Sequence, residues 1–124
     1  MNAAARYGSI QNETASRERL MVMLFEAALK HMRGGAAALE SGQKIEGARA
    51  LLRATDIVAY LQRTLDYRQA PELCSDLAAV YTFVCSKLIS GSSSHNANAA
   101  RDAERAFAPL ADAFSEAIRA RGAA

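Results

Sequence analysis

The sequence has few of the residues that interrupt helices and few of those that build strands. It contains only 2 prolines and 7 glycines in 124 residues, has no tryptophan, and is sparse in β-branched residues. Ala, Leu, Arg and Glu, which favour helices, are abundant instead. The length is typical of a single domain. This composition argues against a strand-rich fold and predicts one all-α domain with one core.

Several functional classes also lack their usual features in this sequence. The charge is nearly balanced, with 15 basic and 13 acidic residues. The basic residues are spread along the chain, whereas a nucleic-acid binder usually gathers them on one face. No run resembles a signal peptide, and no stretch approaches the roughly 20 apolar residues of a membrane span. We therefore predict a cytoplasmic protein with no nucleic-acid partner and no membrane insertion.

The residues that could carry chemistry are few and poorly spaced for it. Cys74 and Cys85 lie about three turns apart on one predicted helix, too far apart for a disulfide and outside the spacing of a zinc site. Neither His31 nor His95 follows a Glu by three residues, as the metal sites of helical bundles require. No glycine-rich phosphate loop is present. The sequence predicts no metal, no cofactor and no catalytic residue, so we do not expect an enzyme.

Apolar residues recur at three- and four-residue spacing in four stretches, which predicts four helices. Their approximate bounds are 17–40, 44–67, 71–90 and 97–121, with Ser16 as an N-cap of the first and Pro71 at the start of the third. The run SGSSSHN, residues 90–96, is predicted to be a loop. Because the connections are short, consecutive helices should be antiparallel, as in an up-down-up-down four-helix bundle over residues 16–121.

The four stripes predict which side chains face the core. They comprise Leu20, Leu24, Ala27 or Ala28, His31 or Met32, Gly35 and Leu39; Ala48, Leu51, Ala54 or Thr55, Val58, Leu61 and Leu65; Leu73, Leu77, Val80 or Tyr81, Val84 and Leu88; and Ala103, Ala106 or Phe107, Leu110, Phe114 and Ala117 or Ile118. Other apolar residues lie off the stripes, namely Leu29, Leu52, Ile57, Tyr60, Phe83 and Ile89. This surplus indicates either a partner surface or a broad core face.

Three local features modify this simple pattern. Residues 1–15 show no helical period and are predicted to form an N-terminal arm, with Tyr7 and Ile10 as its apolar anchors. Gly34 and Gly35 lie inside the first helix, where close helix contact or a local bend would explain them. Pro109 predicts a kink near residues 105–108, with the helix continuing beyond it.

Three motifs resemble the flagellin export chaperone family, the FliS-like proteins. YGSIQNETAS (7–16), followed by LMVMLFEAA (20–28), is similar to that family's Tyr-x-x-x-Gln-x-x-Thr-Ala-Ser opening and its aliphatic run. RATDIVAYL (53–61), continuing to Leu65 and Asp66, resembles the second-helix signature. DLAAVYTF (76–83) resembles the third-helix motif. Arg17 departs from the family, which usually has Pro after Thr-Ala-Ser.

The resemblance implies a chaperone that binds the disordered C-terminal segment of flagellin as helices, prevents premature polymerisation and hands it to the type III export apparatus. Two further partners stay open, a component of the export gate and a second copy of the chain. The partner-binding residues that the matching motifs imply are Tyr7, Ile10, Asp56, Ile57, Tyr60, Leu61, Leu65, Leu77 and Tyr81.

An alternative function rests on the fragment His31-Met32-Arg33-Gly34-Gly35. It slightly resembles a histidine phosphotransfer domain, in which an exposed His on a bundle helix is followed by a cation and a glycine. The cation usually comes three residues after the His, whereas Arg33 comes two after it. The competing interpretation is a partly buried His at a helix interface.

Overall fold

The computed structural model describes the backbone of residues 3–123 and, beyond Ala3, the side chains of residues 13–121. It contains four α-helices, α1 (Ala3–Glu40), α2 (Lys44–Arg63), α3 (Pro71–Ser94) and α4 (Ala97–Ala123). Each helix packs against the next, and α4 packs against α1, so the four form a closed ring. The predicted all-α, up-down-up-down four-helix bundle is confirmed.

Helix α1 is longer than its apolar stripe indicates. It begins at Ala3, so the prediction that residues 1–15 form a non-helical arm is wrong for the described backbone. The physical reason is that no proline interrupts the chain between Ala3 and Glu40, since Arg17 continues a helix where a proline would break the preceding turn. Ser16 therefore lies in the helix interior and is not an N-cap.

A Schellman motif ends α1. Gly42 has a positive φ of 84°, which glycine adopts without a steric penalty. The amide of Gly42 donates to the carbonyl of Leu39 at 3.1 Å, and the amide of Gln43 donates to that of Ala38 at 2.8 Å. The chain therefore reverses within three residues, and α2 starts antiparallel to α1.

The end of α2 differs from the prediction. Helix α2 ends at Arg63 and not near Tyr67, because the Thr64 hydroxyl donates to the Leu61 carbonyl and Asp66 accepts from the Arg68 amide. Such local side-chain bonds compete with helix continuation.

The predicted loop at residues 90–96 is mostly helical. Helix α3 continues to Ser94, and only His95 and Asn96 connect it to α4. Gly91 packs beneath Leu51, and the Ser92 hydroxyl donates to the Ala48 carbonyl at 3.3 Å. Tertiary contacts therefore hold a serine-rich segment in a helix that its propensity disfavours.

Helix α4 starts with Asn96 as its cap, because the Asn96 side-chain oxygen accepts a hydrogen bond from the Ala99 amide at 3.2 Å. It runs through Pro109, which is exposed, to Ala123. The predicted continuation beyond Pro109 is confirmed, whereas the predicted kink stays a prediction.

The core is built largely from the predicted stripes. Its largest fully buried side chains are Phe107, Met32, Leu51, Leu61, Leu88, Val58 and Val84. Two assignments are wrong. Leu20 and Leu73, near the starts of their stripes, are 49% and 59% exposed, because the neighbouring helices do not cover them there. Leu29, which lies off the stripe, is buried, as the alternative of a broad core face predicts.

The two ends of the bundle differ in how closely the helices approach. At the end that holds the α1–α2 and α3–α4 connections, called here the closed end, α1 and α2 meet at two glycines. A Cβ added to Gly35 would lie 2.6 Å from Leu51, and one added to Gly47 would lie 2.7 Å from Leu39. The opposite end, which holds the α2–α3 connection, is called the open end.

Candidate functional site

An apolar cavity of about 370 Å³ lies at the open end of the bundle. All four helices and the α2–α3 connection contribute to it. Its lining consists of Met21, Phe25, Leu61, Thr64, Leu65, Asp66, Leu73, Leu77, Tyr81, Leu110, Ala113 and Phe114. Most of these side chains are apolar, so water inside the cavity would find few hydrogen-bond partners.

The cavity has two distinct walls. On one wall, the Phe25 ring from α1 stacks on Phe107 and Phe114 from α4, with ring centroids 5.4 Å and 4.9 Å apart. The three rings hold α1 against α4. The other wall is formed by Leu61 near the end of α2, Leu65 of the α2–α3 connection, and Leu77 and Tyr81 of α3.

Tyr81 is one of three polar residues in the lining, with Thr64 and Asp66. The residue is only 3% exposed, and burial raises the pKa of its hydroxyl, which stays protonated at neutral pH. Its hydroxyl makes no hydrogen bond with the described residues and keeps some accessible surface. It is therefore available to a bound group.

Asp66 lies at the rim of the cavity on the α2–α3 connection. Its carboxylate accepts hydrogen bonds from the Arg68 guanidinium and amide, which hold the pKa of the carboxyl below its ordinary value. Cys74 donates its thiol hydrogen to the Asp66 carbonyl at 3.2 Å. The connection is thereby fixed to α3, which gives the cavity a defined edge.

A second apolar feature lies on the outer surface of α2 and α3. Leu52 and Tyr60 of α2 are 51% and 41% exposed, and Phe83 and Ile89 of α3 are 47% and 52% exposed. Gln62 donates to Thr82 at 3.1 Å, and Ser92 donates to Ala48. This antiparallel register places Leu52 at the level of Ile89.

Comparison with known proteins identifies the family. The family described as flagellar protein FliS matches residues 1–121 of this sequence. The chain belongs to the FliS family. Members of this family are cytoplasmic flagellar export chaperones and not enzymes, and flagellin is their general partner. A search of curated proteins gave no match.

The predicted partner-binding residues of this FliS-family chain fall into three groups. Leu61, Leu65, Leu77 and Tyr81 line the cavity together. Asp56 and Tyr60 are exposed on the outer surface of α2, whereas Ile57 is half-buried and packs against the core. Tyr7 and Ile10 lie within α1, but their side chains are outside the described part of the chain.

The sequence did not single out the α1 and α4 side of the cavity. Met21, Phe25, Leu110, Ala113 and Phe114 line it as well. A signal is present in the sequence, because Leu110 and Phe114 belong to the predicted apolar stripe of the fourth helix, which continues toward the C-terminus.

The residues considered for chemistry are engaged in packing or ion pairs. His31 is half-buried, and the Arg33 guanidinium that follows it pairs with Glu104 at 2.8 Å. Both cysteines are free, and burial raises the pKa of the Cys85 thiol, which disfavours the reactive thiolate. Residues 3 and 13–121 contain no group of three His, Cys, Asp or Glu side chains that could hold a metal ion.

Helix α3 meets the length and composition of a membrane span, contrary to the expectation that no stretch would approach one. One such helix is weak evidence, because core helices pass the same test. Cys74, Tyr81, Val84 and Leu88 of α3 are buried inside the bundle. Its hydrophobicity therefore fits a core helix of a FliS-family bundle.

Proposed function

We propose that this protein is a non-enzymatic, cytoplasmic export chaperone that binds the C-terminal segment of flagellin through the cavity at the open end. The observation that carries the proposal is the unfilled apolar cavity of about 370 Å³, lined by Leu61, Leu65, Leu77 and Tyr81. A small soluble domain gains stability by filling its core, so retained apolar space indicates a partner that fills it.

The size and shape of the cavity suit apolar side chains presented by a helix. Apolar cavities of about 150 Å³ in proteins take up a benzene molecule, so this cavity has room for about two groups of that size. A disordered segment that folds into an amphipathic helix on binding would present such groups at three- and four-residue spacing. Residues of the segment thereby become unavailable for polymerisation.

The Tyr81 hydroxyl gives the cavity one directional contact. Tyr81 is the most buried of the polar residues in the lining, and its hydroxyl can donate a hydrogen bond to a carbonyl or a side-chain oxygen of the segment. One hydrogen-bond donor in apolar surroundings orients a ligand without a large desolvation penalty, because its partner is satisfied on binding.

The exposed apolar residues on α2 and α3 extend the binding surface. Leu52, Tyr60, Phe83 and Ile89 give a second contact area outside the cavity. The exposed carboxylate of Asp56 lies one turn from Tyr60 on α2 and can pair with a basic residue of the segment. A segment longer than one helix would therefore engage both areas.

Isothermal titration calorimetry with a C-terminal fragment of flagellin tests the proposal. We expect binding with a Kd in the micromolar range or tighter, roughly −8 kcal/mol or more favourable. Leu77→Ala, which removes part of the cavity wall, should weaken binding by about tenfold or more, or about 1.4 kcal/mol. Ile45→Ala, at a residue 74% exposed at the closed end, should change the Kd by less than about twofold.

The absence of heat at micromolar concentrations of the unmodified chain would overturn the proposal. Equal losses of affinity for the fragment in Leu77→Ala and Ile45→Ala would show that the binding site is not the cavity. Phosphate transfer to the chain from a phosphorylated response regulator, lost in His31→Gln, would instead support the phosphotransfer alternative.

Two further partnerships belong to the same proposal. Delivery to the export apparatus requires that a component of the export gate recognise the loaded chaperone. A second copy of the chain can compete for the same apolar surface in the absence of cargo. Light scattering of the protein with and without the flagellin fragment separates a dimer from a monomer, and we expect a one-to-one complex once cargo is present.

A further inference from the structure

The chain connections divide the bundle into two pairs of helices. The α2–α3 connection, residues 64–70, lies at the open end and joins α2 to α3. The α1–α2 and α3–α4 connections, residues 41–43 and 95–96, both lie at the closed end. Consequently, the pair α1/α4 and the pair α2/α3 are covalently joined only at the closed end. Separating the pairs at the open end would strain no connection.

Directional contacts follow the same division. Glu18–Arg121, Arg33–Glu104 and Glu40–Arg101 join α1 to α4 along the length of the bundle. The Phe25 stacks on Phe107 and Phe114 also join α1 to α4.

The bonds between α2 and α3 complete the second pair. Gln62 donates to Thr82, and Ser92 donates to Ala48. Among the side chains of residues 15–121, the polar bond that crosses between the pairs is Lys87–Asp102, at 3.4 Å, which lies about one turn from Gly91 at the closed end.

At the closed end, α1 and α2 are in close backbone contact. The Gly35 and Gly47 backbones approach so closely that each carbonyl lies 3.0–3.2 Å from a Cβ built on the other glycine. Leu51 fills the space above Gly35 and also contacts Gly91 of α3, so it ties three helices together. Leu51 is fully buried. At the open end, the corresponding space between the pairs is the cavity.

We infer that the bundle works as a pair of hinged jaws, with α1/α4 as one jaw, α2/α3 as the other, and the glycine-packed closed end as the hinge. The inference rests on the proposed function and concerns how the same cavity admits the flagellin segment. The jaws part at the α1–α2 and α3–α4 seams of the open end. Parting exposes the buried side chains of Phe25, Leu61 and Tyr81, which the flagellin segment must cover again. Across the cavity itself, no contacts between the pairs have to be broken.

Spin-label distances in the full chain test the hinge. Cys74 and Cys85 are replaced by Ser, and label pairs are placed at exposed positions. The register set by Lys87–Asp102 brings Ser75 level with Glu116, across the jaws at the open end. Met23 with Glu116 is the matched pair within one jaw. Ala37 with Arg49 is the matched pair across the jaws at the hinge.

We expect the flagellin fragment to lengthen the Ser75–Glu116 distance by on the order of 2 Å or more, the size typical of rearrangements on binding. The Met23–Glu116 and Ala37–Arg49 distances should not change. In the free chain, the Ser75–Glu116 distribution should be broader than that of Ala37–Arg49. Fragment binding without lengthening, or equal breadth of the two distributions in the free chain, would overturn the hinge.

The hinge and the proposed function can fail separately. A free chain with a broad Ser75–Glu116 distribution that does not bind the fragment keeps the hinge and overturns flagellin as its occupant. If the cysteine replacements prevent folding, hydrogen exchange of the unmodified chain gives the test. Amides near Leu61 and Tyr81 should exchange at least about tenfold faster than those near Leu51 and Leu88, and uniform exchange would contradict the hinge.

Discussion

Two adjacent glycines in α1 have opposite physical roles. Gly34 is exposed, and a Cβ added there would meet nothing within 4 Å. Gly35 is buried, and the same atom would lie 2.6 Å from Leu51 and 3.2 Å from the Gly47 carbonyl. The sequence offered close contact or a bend as explanations for the pair. The structure supports close contact for Gly35, whereas nothing in it explains Gly34.

Alanine at these two positions should therefore change stability in opposite directions. We predict that Gly35→Ala lowers the free energy of unfolding by about 1–3 kcal/mol, because α1 and α2 must move apart. Gly34→Ala should raise it by up to about 1 kcal/mol, because alanine has the higher helix propensity. Urea denaturation measures both values. A stabilising Gly35→Ala would contradict the close packing at the closed end.

Tyr81 is the most buried of the polar residues that line the cavity. We predict that Tyr81→Phe leaves the fold intact and weakens flagellin binding by about three- to tenfold, since a neutral hydrogen bond contributes about 0.5–1.5 kcal/mol. Tyr81→Ala should also destabilise the protein, because it removes a buried ring. Calorimetry separates the two effects. Unchanged affinity of Tyr81→Phe would show that the hydroxyl does not contact the segment.

At the level of elements, the sequence predicted helices well where an apolar stripe and a terminating residue agreed. Pro71 begins α3, and Gly42 follows the end of α1, as expected. The boundary errors have three causes, namely the absence of a breaker before α1, local side-chain hydrogen bonds after α2, and tertiary contacts at the end of α3. Ser92 and Gly91 are helical because they pack against α2, and no local pattern reports that contact.

The candidate site was predictable on one side only. The second- and third-helix motifs contained Leu61, Leu65, Leu77 and Tyr81, which the fold brings together in one cavity. Phe25 and Phe114 join them because α1 and α4 are antiparallel neighbours. Their stacking depends on the register between two helices that are distant in sequence, and periodicity alone does not give that register.

Helices α1 and α4 are held together by an ion-pair network centred on Arg101. Its guanidinium donates hydrogen bonds to the carboxylates of Glu40 and Glu104, and the Arg33 guanidinium also donates to Glu104. The hydrogen bonds from Arg101 are the main reason why the pKa of each of these two carboxyls lies below its ordinary value. Since the folded-state pKa is lowered, the stabilisation is present above the ordinary carboxyl range and is lost as the pH falls through the folded-state values.

We therefore predict that acid destabilises the native chain more than it destabilises Arg101→Gln. Both proteins are melted between pH 7 and about pH 3, a range that spans the ordinary Glu pKa. The difference in Tm between them should be largest near pH 7 and shrink below about pH 4. Arg53→Gln, on an exposed residue of α2 that makes no ion pair with the described part of the chain, serves as a control. A difference that grows on acidification would contradict the assignment.

The whole molecule combines a tightly packed closed end with an unfilled open end. The free protein should therefore gain stability when the cavity is filled. We predict that the flagellin fragment at about 100 times its Kd stabilises the fold by about 2.7 kcal/mol and raises the Tm. Leu77→Ala, with about tenfold weaker binding, should lose about half of this stabilisation at the same fragment concentration, whereas Ile45→Ala should keep it. A Tm that is independent of the fragment would indicate that it does not bind the native state.

Contacts between the cavity and the flagellin segment can be observed directly by NMR. Methyl labelling of the leucine and isoleucine side chains in the complex gives intermolecular nuclear Overhauser effects to the unlabelled fragment. We predict such effects from the methyl groups of Leu61, Leu65 and Leu77, and none from Ile45 at the closed end. A bound fragment whose contacts involve Ile45 but none of the three leucines would contradict the open end as the binding site.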